Sequence, residues 1–203
     1  MQNIDYTLYL VTNRQNKTEQ EFLNTIEEAI KGGVTIIQLR EKNTNTKKFY
    51  NIAKKVKKIT TKYNIPLIIN DRIDIAQAIN AEGIHLGQND MPCNIARKIL
   101  GKEKIIGISA TTIKEAQKAQ KDTANYIGCG AIFPTKTKND AKTVTIPELT
   151  KITKSINIPV IAIGGITKEN KKQLKNTKIK GISVVSAITE SKNPQKAAKE
   201  LKK

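Results

Sequence analysis

Two aspartates stand where apolar runs of the sequence end. Asp71 directly follows the run Pro66–Asn70. Asp90 lies three residues after the run Gly83–Gly87. If both runs are neighbouring strands of a parallel barrel, their carboxyl ends share one rim, and the two carboxylates come together. Mg²⁺ commonly takes one or two carboxylates and completes its shell with water and substrate phosphates. The pair therefore predicts a magnesium site, although either aspartate alone could instead cap the helix that follows it.

Cations follow the apolar runs in the same way. Arg40 and Lys42 lie at the end of the run Thr35–Arg40, and Lys138 lies in a polar segment that follows a later run. Arginine can bind phosphate oxygens through two parallel hydrogen bonds, and lysine acts as a point charge. These residues therefore suit an anion with several charges. For Lys138 the alternative is an ordinary solvated loop.

A second anion site is predicted near Gly165 and the residues after the last apolar run. Many barrels bind a phosphate there through loop backbone amides and a helix N-terminus. Gly164 and Gly165 could also form a plain strand-to-helix turn. Two phosphorylated substrates, one with a pyrophosphate leaving group, would need such a pair of sites.

Eight short runs rich in β-branched residues predict strands. They are apolar almost continuously rather than alternately, as is typical of parallel strands that are covered on both faces. The runs are Leu8–Thr12, Thr35–Arg40, Pro66–Asn70, Gly83–Gly87, Ile105–Ala110, Tyr126–Ile132, Pro159–Gly165 and Gly181–Ile188.

An amphipathic stretch follows each run, and strict β-α alternation predicts a parallel sheet. Eight units in 203 residues favour a single α/β domain over residues 1–203, folded as one (β/α)₈ TIM barrel. The competitor is a doubly wound open sheet, but the segment Val11–Arg14 lacks its glycine-rich fingerprint. The predicted helices are Thr18–Lys31, Thr46–Lys62, Arg72–Ala81, Cys93–Leu100, Ile113–Lys121, Pro147–Ile156, Lys168–Lys175 and Pro194–Lys202.

The formal net charge of +18 comes mostly from lysine, since all but four of the 36 basic residues are Lys. Nucleic-acid readers favour arginine for bidentate contacts and aromatic rings for stacking. Here aromatic residues make up 4% of the chain, Trp is absent, and the lysines are spread along its whole length. The composition therefore indicates solvated helix faces and a field that attracts anionic substrates, with no nucleic-acid partner.

Neither a signal peptide nor a membrane span is visible, so the chain is predicted to be cytoplasmic, without a membrane partner. Cys93 and Cys129 are then expected to be free thiols, with Cys129 packed in the core.

His85 lies inside a predicted strand and is expected to be a packed core histidine rather than a base or ligand. The oligomeric state is left open, a homo-oligomer included.

Seven motifs, in order and correctly spaced, resemble the thiamine phosphate synthase family over nearly the whole chain. They are QLREK (Gln38–Lys42), NDR.D.A (Asn70–Ala76), GIHLGQ.D (Gly83–Asp90), GIS (Gly107–Ser109), FPTKTK (Phe133–Lys138), IGGI (Ile163–Ile166) and VVSAI (Val184–Ile188).

The resemblance implies a (β/α)₈ enzyme that joins hydroxymethylpyrimidine pyrophosphate to hydroxyethylthiazole phosphate and releases pyrophosphate. It implies a dissociative substitution in which Arg40, Lys42, Ser109 and Lys138 act on the reacting pyrimidine. Asp71 and Asp90 would bind Mg²⁺. The residues implied for the pyrimidine pyrophosphate are Gln38, Leu39, Arg40, Glu41, Lys42, Asn70, Ser109 and Lys138. Those implied for the thiazole phosphate are Thr135, Lys136, Thr137, Gly165, Val185 and Ser186.

One residue departs from the family pattern: Asn89 stands where an acidic residue is usual, which implies a weaker negative field beside Asp90. The resemblance also leaves a rival, thiazole tautomerase, which is similar in fold and in the NDR segment. The rival is expected to lack the second metal carboxylate and the PTKTK loop. Because this chain keeps both, the synthase is favoured. A basic nucleic-acid-binding protein is the distant alternative.

Overall fold

The computed structural model describes residues 4–135 and 143–203. Eight parallel strands pair in sequence order and close into a barrel, β1 hydrogen bonding with both β2 and β8. The predicted single (β/α)₈ architecture is therefore confirmed, and the open-sheet alternative is excluded. The strands are β1 (Leu8–Val11), β2 (Ile36–Leu39), β3 (Leu67–Asn70), β4 (Gly83–Leu86), β5 (Ile105–Ser109), β6 (Tyr126–Cys129), β7 (Val160–Ile163) and β8 (Gly181–Val184).

Helices surround the barrel and mostly follow the predicted spans. They are α1 (Glu19–Lys31), α2 (Thr46–Lys62), α3 (Ile73–Ala78), α4 (Cys93–Leu100), α5 (Ile113–Lys121), α6 (Ile146–Ser155), α7 (Ser186–Thr189) and α8 (Pro194–Lys202).

Two predicted elements are wrong in the last third of the chain. The helix expected over Lys168–Lys175 is only a 3₁₀ turn, Lys171–Leu174. The strand expected to reach Ile188 ends at Val184, and α7 begins two residues later. In both places the residues have mixed conformational propensities. Packing against neighbouring elements, rather than local preference, then decides the conformation of the segment.

Local capping fixes where several helices begin. The Thr18 hydroxyl accepts from the Glu21 amide, and the Glu21 carboxylate accepts from the Thr18 amide. The same reciprocal capping box starts α5 and α6. Each box satisfies amides that an α-helix leaves unpaired at its start.

Two layers of side chains hold the fold together. One large apolar cluster lies between the barrel and its helices. A smaller cluster of tyrosines, isoleucines and a valine fills the barrel itself. Because successive side chains of a strand alternate between the two layers, the position of a residue in its strand decides whether it can reach the rim. Among the described residues, no helix combines the length and the apolar character needed to cross a bilayer.

Candidate active site

The two aspartates lie at the ends of adjacent strands. Asp71 follows β3 with a φ of 63°, and its amide donates to the carbonyl of His85 at 2.9 Å. The Asp90 carboxylate accepts from the amide of Gly87 at 2.6 Å. Neither aspartate caps a helix, because the capping positions of α3 and α4 are Arg72 and Pro92. The capping alternative is therefore wrong for both carboxylates.

The two carboxylates act on each other, and the ammonium of Lys42 acts on both. Burial raises the pKa of Asp90, the amide of Gly87 lowers it, and a hydrogen bond and the charge of Asp71 raise it again. The ammonium of Lys42 lies 2.5 Å from Asp71 Oδ2 and also lowers the pKa of Asp90. A pair of carboxylates that repel one another and already attract an ammonium fits a small divalent cation.

The ligand set is small. Within residues 4–135 and 143–203, no group of three or more His, Cys, Asp or Glu side chains converges as a metal cage would. A two-carboxylate site suits Mg²⁺, which keeps several waters and takes substrate phosphates as further ligands. Asn89, the departure from the family pattern, is exposed beside this site.

The cationic side of the rim comes from the segment after β2. The amide of Arg40 donates to the Thr12 hydroxyl at 3.1 Å, which fixes the backbone from which this half-buried guanidinium extends. Glu41 forms a 2.9 Å salt bridge with Arg14 and is only 4% exposed. Burial raises the pKa of Glu41, and Arg14 lowers it. Glu41 thus anchors the loop after β1 to the predicted pyrophosphate site.

Four predicted pyrimidine contacts differ in orientation. Gln38 and Ser109 join hydrogen bonds inside the barrel. Leu39 is fully buried in the layer between barrel and helices, so only its backbone can face the rim. Asn70 is half-buried at the end of β3, beside His85 in the strand register. Lys138 lies outside the described residues.

A line of hydrogen bonds, here called the barrel network, crosses the interior. Gln38 Nε2 donates to the Tyr9 hydroxyl at 2.9 Å, and the Tyr9 and Tyr126 hydroxyls are 2.7 Å apart. The Tyr126 hydroxyl lies 3.0 Å from His85 Nδ1, and His85 Nε2 lies 2.9 Å from Ser109 Oγ. His85 therefore packs inside the barrel as predicted. In addition, its two ring nitrogens connect Tyr126 to Ser109 through hydrogen bonds.

The predicted thiazole phosphate residues gather at the opposite side of the rim. Gly165 has a φ of 63°, and a Cβ there would lie 2.4 Å from the carbonyl oxygen of Pro134. The loop after β6, which leads to the half-buried Thr135, thus packs directly on the turn after β7. Val185 and Ser186 stand at the start of α7. Lys136 and Thr137 lie outside the described residues.

Sequence reasoning missed Tyr9 and Tyr126. They occupy inward positions of β1 and β6 and are 2% and 1% exposed. The sequence offered one signal: each of these two strands carries a single tyrosine and no charged residue, and a buried phenol hydroxyl usually has a hydrogen-bond partner.

A closed (β/α)₈ barrel with cations, carboxylates and hydroxyls at the carboxyl ends of its strands is a TIM-barrel enzyme. A sequence profile for thiamine monophosphate synthase matches residues 8–188. The chain therefore belongs to the thiamine monophosphate synthase family.

Individual relatives agree with this assignment. The chain is 59% identical to the thiamine-phosphate synthase of Methanobrevibacter smithii over all of its own length and 97% of the relative. It is 56% identical to that of Clostridium tetani, covering 98% of this chain and 95% of the relative. The solved structure of a thiamine phosphate pyrophosphorylase from Pyrococcus furiosus superposes with a TM-score of 0.89 at 39% identity, covering 98% of this chain and 94% of that one.

Proposed function

We propose that this enzyme joins hydroxymethylpyrimidine pyrophosphate to hydroxyethylthiazole phosphate, releasing pyrophosphate and forming thiamine phosphate with Mg²⁺ at Asp71 and Asp90. The observation that carries the proposal is the convergence of the two carboxylates and the Lys42 ammonium at one point of the rim. Membership of the synthase family supports the reaction, and none of the relatives described above is named a tautomerase.

The bond that breaks joins the pyrimidine methylene carbon to a pyrophosphate oxygen, and the bond that forms joins that carbon to the thiazole nitrogen. Negative charge accumulates on the departing pyrophosphate. Lys42, which pairs with Asp71, would neutralise that charge together with Arg40 from the same segment, and Lys138 is predicted to join them. Bound Mg²⁺ would add a Lewis acid for the same oxygens.

The electron-rich aminopyrimidine ring can spread the positive charge that develops on its methylene carbon. The mechanism therefore needs no protein nucleophile, and the chain's contribution is positioning and electrostatics. Gln38, Asn70 and Ser109 would hold the ring. Gly165, Val185 and Ser186, with Thr135 to Thr137, would hold the thiazole phosphate on the far side of the same mouth.

The test measures thiamine phosphate formation with both substrates and Mg²⁺, and then with each omitted in turn. Asp71→Asn and Asp90→Asn should each lower kcat by about 100-fold or more, because each removes one charge that holds the metal. Both should also weaken Mg²⁺ binding measured by calorimetry. The matched control is Asp74→Asn, since Asp74 pairs with Arg72 at the same rim but is 57% exposed and outside the pair.

Near-normal turnover and metal affinity in Asp71→Asn and Asp90→Asn would remove the metal assignment. Turnover of the thiazole substrate alone, with no pyrimidine pyrophosphate present, would favour the tautomerase instead.

A further inference from the structure

The barrel network joins two predicted substrate contacts that lie on different strands. Gln38 on β2 and Ser109 on β5 are its two ends, and Tyr9, Tyr126 and His85 are the links between them. The two phenols are nearly fully buried, so bulk water does not compete for their hydrogen bonds.

One order of hydrogens gives every group of the network a partner, and it starts at Gln38. Because Gln38 donates to the Tyr9 oxygen, the single hydrogen of Tyr9 is available for the Tyr126 oxygen. In this order the hydrogen of Tyr126 points to His85 Nδ1, which accepts. The imidazole hydrogen is therefore on Nε2, where it is donated to the oxygen of Ser109.

The tyrosine links keep their hydrogens at neutral pH. Burial raises the pKa of both Tyr9 and Tyr126 above the ordinary value of a phenol. Each hydroxyl thus keeps its one hydrogen near neutral pH.

In this order of hydrogens, each end of the network has its own hydrogen-bonding role toward a ligand. The side-chain oxygen Oε1 of Gln38 forms no hydrogen bond with any residue in the described part of the chain, so it is available as an acceptor. The hydroxyl of Ser109, whose oxygen accepts from His85, has its hydrogen available as a donor. A ring with a donor facing the side-chain oxygen of Gln38 and an acceptor facing Ser109 is complementary to both ends.

An aminopyrimidine meets both requirements, since its exocyclic amine donates and its ring nitrogens accept. A 4-oxopyrimidine presents an acceptor in place of the amine. It would set two carbonyl oxygens against each other at Gln38 or leave one unpaired, which is costly in a partly buried site.

We propose that Tyr9, Tyr126 and His85 are positioning residues that select an aminopyrimidine over a pyrimidinone by fixing Gln38 as an acceptor and Ser109 as a donor. The inference rests on the proposed function, because it concerns recognition of the pyrimidine substrate at that site.

The packing around the network holds it in place. A Cβ on Gly107 would lie 2.0 Å from the Tyr126 ring, and one on Gly128 would lie 3.0 Å from the His85 ring. Both rings therefore occupy space that glycine leaves open in β5 and β6, with little freedom to turn away.

The experiment compares kcat/KM for the amino substrate and its 4-oxo analogue in the wild type, Tyr126→Phe and Tyr9→Phe. Either variant interrupts the network and lets the Gln38 carboxamide flip to donate to a carbonyl. The wild type should prefer the amino substrate by about 100-fold or more, and each variant should reduce that ratio at least about tenfold. Loss of fold or of packing would lower both rates together and leave the ratio unchanged.

Tyr6→Phe is the matched control. Its ring packs on Tyr126 with centroids 5.3 Å apart, yet its hydroxyl forms no hydrogen bond to any described residue outside or inside the network. For Tyr6→Phe, the ratio of kcat/KM between the amino substrate and the 4-oxo analogue should stay within about twofold of the wild-type ratio.

Equal ratios in Tyr126→Phe, Tyr9→Phe and Tyr6→Phe would overturn the inference while leaving the proposed function intact. A wild type that makes no thiamine phosphate from the amino substrate would instead overturn the proposed function, so the two failures are distinct.

Discussion

At the scale of single residues, burial suppresses the chemistry of both thiols. Burial and the nearby Asp122 raise the pKa of Cys93 to about 11, and Arg97 and Lys118 only partly oppose them. Burial, with smaller contributions from two glutamates, raises the pKa of Cys129 to about 12. The expectation that both are free thiols is confirmed, and the thiolate is a minor form of each near neutral pH.

Native protein should therefore react slowly with a thiol reagent such as DTNB at pH 8, because both pKa values are raised and the reactive thiolate is scarce. Unfolding in guanidinium should expose both thiols and give two equivalents at once. Absorbance at 412 nm measures the release. Rapid reaction of either Cys93 or Cys129 in the native protein would contradict the assigned burial.

Asp71 shows what a residue type alone cannot decide. Asp is common both at helix N-caps and in metal sites, and each interpretation is sound when the residue is considered alone. The distinction came from the two strands beside β3, because the segments after β2 and β4 bring Lys42 and Asp90 close enough to act on the same carboxylate.

At the scale of elements, β5 accommodates a ring from β6. Gly107 pairs with Tyr126 in the strand register, and a Cβ at Gly107 would lie 2.0 Å from the phenol ring. Tyr126 cannot move aside easily, because it also contacts the rings of Tyr6, Tyr9 and His85.

Gly107→Ala should therefore destabilise the protein by about 1–3 kcal/mol through overpacking, as judged from urea unfolding. In a Tyr126→Leu background the same substitution should cost less, because the clashing ring is gone. Equal costs in the two backgrounds would show that the backbone of Gly107, and not the ring, is responsible.

One of the two mispredicted elements has little apolar material of its own. The segment after β7 holds only Leu174 in the core of its 3₁₀ turn, which is too little to specify a full helix. By contrast, α2 buries a stripe of residues at helical spacing while its lysines remain outside, so its span could be predicted to the residue.

At the scale of the whole molecule, the net charge of +18 acts on substrates that are anions. Fields of this sign raise the local concentration of phosphorylated ligands and are screened over about 10 Å at 0.1 M salt. Attraction between exposed charges is lost first as salt is added, whereas contacts inside the site persist.

Raising NaCl from about 20 to about 200 mM should therefore increase KM for the pyrimidine pyrophosphate roughly threefold or more and leave kcat nearly unchanged. Initial rates at fixed Mg²⁺ concentration measure both constants. A KM that stays flat over this range would mean that the lysines on the outer helices contribute nothing to substrate capture.

Much of the architecture and of the site is accessible from the sequence. Strand order, the barrel and the rim positions of Arg40, Lys42, Asp71, Asp90 and Ser109 follow from apolar runs that end in polar residues. These features could be predicted because an apolar run that forms a buried strand, and the polar residues that end the run, are both visible within a few consecutive residues.

The sequence by itself determined the fold, the family and the residues that stand at the rim. Hydrophobic periodicity and the order of motifs can both be read from the order of the residues alone. Only the tertiary structure decided which of those residues act together. It excluded the capping role of Asp71 and Asp90, buried Leu39 in the outer layer, and joined Gln38 to Ser109 through Tyr9, Tyr126 and His85. Such links depend on barrel closure and on which face of a strand a side chain occupies, and residues 117 positions apart can then share a hydrogen bond.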